Sequence, residues 1–394
     1  VFICIIDSMG FGMLIPLIYS YGKKFGLTPS SLGWLTATFA IVQFFATPVL
    51  GSLSDRFGRK WLLVACLAGT AISFTMFGLA GSLLMLFIAR ALDGLTGGDI
   101  SIAQAIITDI SSPETRSKYF GILGSAFGLG SVIGPGVGGL LSSLGMTVPF
   151  FVAAGLSLTG ALLSMIFLKE SNSDALEKKQ KKNKVFEFKS LITVLKKPVI
   201  GAAVCTGFLL TTAQLVMLIG FQTYCTDALK LTPTQIGIFY AGFGITGILT
   251  QLAVPLITKL IAKRSIILLI STVVCLAAMT FTGFITAIIP FAIGIGIYGL
   301  FNGLRNPMLN AIIADESKTE EQGEIMGINQ SYSSLGQATG PIIAGLALAL
   351  TQSAPFFLSA FLMLIAVGVN LRLKAQEFQG SNQGRESSSG YRLQ

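Results

Sequence analysis

The chain has 394 residues, of which 52% are hydrophobic and only 11% charged, with a formal net charge of +9. Its mean hydropathy is +0.76, which argues against a water-soluble protein. With no histidine present, proton handling falls to carboxylates and a zinc site is disfavoured. The five cysteines (Cys4, Cys66, Cys205, Cys225 and Cys275) show no paired spacing and read as small buried hydrophobes.

Twelve apolar segments follow one another, at about 1–21, 32–53, 61–80, 82–109, 119–144, 148–168, 199–224, 234–261, 265–284, 286–313, 324–350 and 354–373. They are continuous over roughly 20 residues, the length of a spanning helix, where barrel strands would alternate over about 10. The expected fold class is an all-α polytopic membrane protein with twelve transmembrane helices in two pseudo-symmetric six-helix bundles.

Span 1 carries a single carboxylate, Asp7. Between spans 2 and 3 the apolar pattern breaks at "GSLSDRFGRK", which holds Gly51, Asp55, Arg56, Gly58, Arg59 and Lys60. Span 4 carries Arg90, Asp93 and Asp99, with Asp109 at its end; Arg90 and Asp93 are three apart and share a helix face. Counted from Lys23 and Ser82 at about 1.5 Å per residue, Asp7 lies about 24 Å deep, Asp93 about 17 Å and Asp99 about 26 Å. Charges at such depth are costly and mark function. Span 5 has Gly130, Gly134 and Gly138 every fourth residue, with Pro135 and Gly139 beside them, a smooth face for close helix approach. The polar, Lys-rich stretch 169–198 is read as a cytoplasmic linker between an N-terminal bundle (1–168) and a C-terminal one (199–374). In the second bundle Gln214, Gln222, Asn302, Asn306, Asn310 and Gln330 are candidate substrate contacts, and Arg305 is a buried charge in span 10. Residues 375–394 are expected to be a disordered tail.

The two halves repeat at an offset of 206: Asp109 aligns with Asp315, Gly130 with Gly336, Gly134-Pro135 with Gly340-Pro341 and Gly139 with Gly345. The same offset carries Asp99 onto Arg305 and Asp7 onto Ala213. Opposite charges at mirrored positions suggest an ion-pair gate or contacts for a substrate of both signs. Parallel six-helix repeats place a site at the midplane and work by alternating access. With both termini cytoplasmic, of the 27 Lys and Arg only Lys23, Lys24 and Lys230 fall in outer loops, and only Arg90 and Arg305 within helices. The positive charge is thus topological, and nucleic acid is a poor partner for it.

The chain resembles the major facilitator superfamily over nearly its whole length. "GSLSDRFGRK" is similar to that superfamily's signature loop. "IDSMGFGMLIP", "ARALDGLTGGDISIA" and "GLGSVIGPGVGG" resemble the motifs of spans 1, 4 and 5 in its drug/proton antiporter branch, which includes tetracycline-efflux-like proteins. The resemblance implies that Asp55 caps the N-terminal end of span 11, that Arg59 pairs with Asp109, and that the knot latches the two halves. It implies a hinge surface of spans 2, 5, 8 and 11, and a proton-coupling role for Asp7 with Arg90. The second copy, "LITKLIAKRS", keeps positive charge without the Asp, so the latch reads as one-sided. Asp93, Asp99 and Arg305 depart from the family pattern and make the cavity more charged.

The function expected is secondary active transport of a small organic solute, as proton-coupled antiport (efflux). The alternative is a carrier, possibly an importer, of a polar or zwitterionic metabolite or metal chelate; a non-transporting receptor or scaffold is a third reading. No nucleophile constellation or phosphate loop supports an enzyme. The expected partners are the solute, protons and the lipid bilayer, with no cofactor beyond the proton gradient and no metal. The protein is expected to act as a monomer in a bacterial inner membrane.

Overall fold

Lipid offers the backbone no hydrogen bonds, so each spanning segment must satisfy its own N–H and C=O groups. The described residues accordingly form α-helices, one 3-10 turn and no strand. The computed structural model describes residues 2–111, 113–171, 188–261, 263–317 and 322–390. Within these, the side chains at 2, 48, 55, 113–118, 120, 121, 124, 125, 188–191, 251, 322–324, 326, 327 and 374–390 fall outside the described set.

Span 1 is α1 (Phe2–Leu14) followed by α2 (Ile18–Gly22) and a 3-10 turn (Lys23–Phe25), with a 50° bend between the pieces. Pro16 sits in that break, where its missing N–H cannot continue the ladder. Span 2 is α3 (Pro29–Phe57), opened by a Thr28–Ser31 capping box with Pro29 in the first turn. Then come α4 (Arg59–Gly78), α5 (Leu83–Thr96), α6 (Asp99–Ile110), α7 (Pro113–Leu141) and α8 (Val148–Phe167). A short helix, α9 (Phe188–Leu195), lies in the region expected to be a plain linker; residues 172–187 of that region are outside the described set. The second half runs α10 (Pro198–Asp227), α11 (Pro233–Leu260), α12 (Arg264–Phe284), α13 (Ile288–Asn302), α14 (Arg305–Glu316), α15 (Gln322–Leu348) and α16 (Ala354–Gly390). The last helix continues past its apolar stretch to Gly390, through residues expected to be a disordered tail.

All twelve apolar segments are therefore helical. Among the described residues seven helical stretches are long and apolar enough to cross a membrane, α13 and α14 counting as one, and two bent pairs raise the number to nine. The others are span 4, split into α5 and α6, and α7 and α15, the helices richest in charges, glycines or amides. Many large apolar side chains on the helices are exposed, among them Phe45, Leu252 and Leu260, a surface suited to hydrocarbon rather than water.

The duplication is visible in the helix boundaries. Span 4 breaks after Thr96 and resumes at Asp99; span 10 breaks after Asn302 and resumes at Arg305. Thr96 and Asn302 differ by the repeat offset, as do Asp99 with Arg305 and Ile110 with Glu316.

Two compact units form. One comprises Val1–Asn183, Ile219–Ile245 and Pro341–Gln352, and the other Lys184–Leu218, Thr246–Gly340 and Ser353–Gln394. The first unit thus takes in parts of α10, α11 and α15, and close backbone approaches show why. A Cβ on Gly139 would lie 2.9 Å from the Gly237 Cα, and one on Gly33 would lie 3.1 Å from the Gly345 Cα. Inside this unit α1 packs on α7 and α8, α4 on α8 and α5, and α3 on α5. In the second unit α12 packs on α16, α13 and α14.

Candidate functional site

The buried charges of the first unit meet around the break in span 4. Arg90 on α5 donates through Nη1 to Asp93 Oδ2 at 3.1 Å, and the two residues are 4% and 3% exposed. The guanidinium is enclosed by aromatic rings, with the Phe11, Phe39 and Phe77 centroids at 5.7, 5.4 and 5.6 Å. Ring faces attract the cation where water is excluded, which holds Arg90 in place from three sides. Thr70 on α4 lies beside the Asp93 carboxyl.

Asp99 opens α6 on the far side of the break. The break itself is braced by Gln43 of α3, whose Nε2 donates to the Gly97 carbonyl at 2.8 Å. The Asp99 carboxyl lies within hydrogen-bonding reach of Asp7 on α1, with Asp93 also in electrostatic range. The sequence places Asp7 level with the span-4 carboxylates; the fold brings it into contact with one of them.

The glycine-rich helix α7 fixes α1. A Cβ on Gly134 would come within 2.9 Å of the Gly12 Cα, and one on Gly138 within 2.7 Å of the Met13 Cα. Gly130 likewise meets Ser8 and Met9, and Ser8 Oγ donates to the Phe127 carbonyl at 2.8 Å. The expected assignment of this stripe to a hinge with spans 2, 8 and 11 is corrected: residues 130, 134 and 138 face span 1. Gly139 lies about 100° further round the helix and faces span 8, where Thr234 Oγ1 donates to its carbonyl at 2.8 Å, and Val132, Pro135 and Gly136 approach the same span at Gly244, Gly237 and Ala241. Pro135 stays inside a continuous α7, its ring against Gly12.

The signature loop forms a knot within the first unit. Arg59 Nε donates to Asp109 Oδ2 at 3.2 Å, joining the start of α4 to the end of α6, and Ser54 of α3 accepts from the same guanidinium. Glu170, which sequence reasoning missed, caps α4: its carboxylate accepts from the Arg59 N–H at 2.8 Å and the Lys60 N–H at 3.3 Å. A carboxylate at a helix N-terminus is favoured by the exposed N–H groups there. Gly58 is needed twice over, with φ at +99° and with the Glu170 carboxylate where a Cβ would point. Arg56 is exposed, its guanidinium over the Phe57 ring at 5.3 Å, Gly51 is half-buried, and the Asp55 side chain, residues 318–321 and the side chains at 322–324 lie outside the described set. The latch between Asp55 and span 11 therefore has no description here.

The second unit repeats part of this knot. Arg264 pairs with Asp315, the offset partner of Asp109, and also donates to the Ala311 carbonyl at 3.3 Å. The Asp55 and glycines of the signature loop have no counterpart in "LITKLIAKRS", but the Arg–Asp tie does. The ion pair survives because Arg264 replaces Arg59 one position out of register.

Also in the second unit, Arg305 is 2% exposed and donates through Nη2 to the Leu210 carbonyl at 3.0 Å. Among the candidate amides, Asn310 Oδ1 accepts from Asn329 Nδ2 at 3.3 Å. Asn302 keeps a buried Oδ1, Gln214 is half-buried, and Asn306 and Gln330 are exposed. Gln222 is buried in the first unit. That unit holds a second group which the sequence did not single out. Asp227, at the end of α10, accepts from the Tyr19 hydroxyl and from Lys23 Nζ, the latter at 2.6 Å. Among the described residues no His, Cys, Asp and Glu cluster could hold a metal.

Helices of spanning length, a repeated break and buried charges beside it define a polytopic membrane transporter. The chain belongs to the Major Facilitator Superfamily, whose family model matches residues 1–224 and 204–389. It is 30% identical to multidrug resistance protein 2 of Bacillus subtilis, over 94% of this chain and 92% of that protein. It is also 30% identical to the class C tetracycline resistance protein of Escherichia coli, over 86% of each. The nucleoside transporter NupG has the same fold, with a TM-score of 0.77 at 12% identity over 94% of this chain and 97% of that one. The chain is a multi-pass transporter of small molecules rather than an enzyme.

Proposed function

We propose that the protein exports a small organic solute in exchange for protons, with the Asp7 and Asp99 carboxyls as the proton-binding pair. The observation that carries this reading is their contact beside the span-4 break. In this reading the two facing carboxyls are the place where a proton is taken up and handed on as the site opens to either side. Arg90 is committed to Asp93 and leaves the pair without a full counter-charge. The resistance proteins named above support the outward direction, since export of a compound is one route to resistance, and suggest tetracycline as a first probe. In this reading the transporter works as a monomer in a bacterial inner membrane with both termini cytoplasmic. Its two six-helix halves rock about the midplane, and the proton gradient replaces any cofactor.

The test uses purified protein in proteoliposomes carrying an imposed pH gradient. Wild type accumulates labelled tetracycline when the gradient is present. Asp7→Asn and Asp99→Asn lose gradient-driven accumulation by at least about tenfold, equivalent to about 1.4 kcal/mol, while solute exchange without a gradient survives. Accumulation in either variant equal to wild type overturns the assignment.

A further inference from the structure

We infer that Arg305 is the anchor of an anion-binding subsite in the second unit, which takes a solute carrying a carboxylate or similar group beside a hydrogen-bond donor. The inference deepens the transport reading, since it concerns the solute that the same protein moves. It begins with a charge that has no partner. Arg305 sits about 25 Å along the helix from Ile288 and about 17 Å from Glu316, so it is too deep to reach either end of the span. It is 2% exposed, and among the described residues neither Nε nor Nη1 has an acceptor. Its neighbours are neutral: the Leu210 carbonyl, the Cys275 thiol and the Tyr298 hydroxyl. No carboxylate of the described residues pairs with it.

Stability gives no reason for such a residue. An unpaired buried cation costs several kcal/mol. Arg90 shows how this protein neutralises a buried arginine when the role is structural, with Asp93 on one side and three rings around it. Arg305 has none of these. What it has is two buried guanidinium nitrogens without an acceptor and, beyond the Leu210 carbonyl, only a thiol and a hydroxyl within reach of the group, neither of which balances its charge, so an anion would complete it.

The repeat sharpens the contrast. In the first unit the residue that restarts span 4, Asp99, meets Asp7 on span 1. At the mirrored place, the residue that restarts span 10 reaches span 7 at Leu210, one turn from Ala213, the counterpart of Asp7. The same joint is acidic in one unit and basic in the other. One turn before Arg305, the buried Asn302 Oδ1 has no donor. A ligand that answers both groups brings an anion to the guanidinium and a hydroxyl or ammonium to the amide oxygen.

Salicylate and salicylamide test this, because they share a ring and an ortho hydroxyl and differ in charge. Equilibrium binding of each labelled probe is measured on the full-length protein in detergent, without a pH gradient, so a failure of proton coupling leaves the readout unaffected. Wild type should prefer salicylate by at least about tenfold. Arg305→Gln should abolish the preference while binding salicylamide like wild type, and Arg305→Lys should keep only part of it. If Arg305→Gln does not fold, the Arg305→Lys result decides alone. Equal binding of the two probes by wild type, or an undiminished preference in either variant, overturns the proposal and leaves the proton-coupling reading standing.

Discussion

At the scale of single residues, the first unit separates a locked charge pair from a poised one. Arg90 and Asp93 satisfy each other in a dry pocket, and removal of one partner strands a buried charge. Asp93→Asn should cost about 3–5 kcal/mol, read as a fall in the thermal unfolding midpoint in detergent, while Arg90→Met with Asp93→Leu should cost less than Asp93→Asn alone. The pair was legible in the sequence because a spacing of three settles it. The Asp7–Asp99 contact was only half legible: depth counting put the two at one level, but depth along a helix does not say which neighbour a side chain meets. Glu170 was missed for a related reason. A carboxylate far along the chain carries no local signal that it will cap another helix. Asp227 holds two partners of different worth. Lys23 is half exposed, so Lys23→Ala should cost under about 1 kcal/mol. Asp227→Leu, which strips the buried Tyr19 hydroxyl of its acceptor, should cost about 1–3 kcal/mol, and the two losses can be compared by thermal unfolding.

At the scale of elements, the glycines of α7 are selective. Gly134→Ala pushes a methyl into the α1 backbone and should cost about 1–3 kcal/mol, whereas Gly128, with nothing within 4 Å of an added Cβ, should accept alanine within about 0.5 kcal/mol. Both can be read as shifts in thermal unfolding. The i+4 spacing announced a close-packed face, and the face is there. Its partner could not be read, since periodicity gives the direction a stripe faces on its own helix and says nothing of which helix lies opposite. The second unit uses the same device: a Cβ on Gly340 would sit 2.7 Å from the Leu215 Cβ, and Leu215 is the offset partner of Met9.

At the scale of the whole molecule, composition alone pointed to the membrane class, and the repeat offset maps the break of span 4 onto that of span 10 to the residue, while several other helix ends differ by one to three. What the offset did not reveal was which chemistry each copy kept, because aligned positions may hold any residue that fits the packing. The Arg–Asp tie is an example, kept in the second copy by an arginine one place away. These ties are partly exposed, so Arg59→Ala and Arg264→Ala should each change thermal stability by less than about 1 kcal/mol yet slow tetracycline transport to a similar degree. A large loss in one variant with none in the other would mean that the two copies of the tie are not equivalent.

The paired interruptions of spans 4 and 10 also share a construction. Both fall at the same register and both are braced from a neighbouring helix, by Gln43 at Gly97 and by Thr250, whose hydroxyl donates to the Leu300 carbonyl at 2.6 Å. The residues that follow them, Asp99 and Arg305, are opposite in charge. One backbone joint thus carries two unlike side chains, so the chemistry of either joint can be exchanged without rebuilding the helix that presents it.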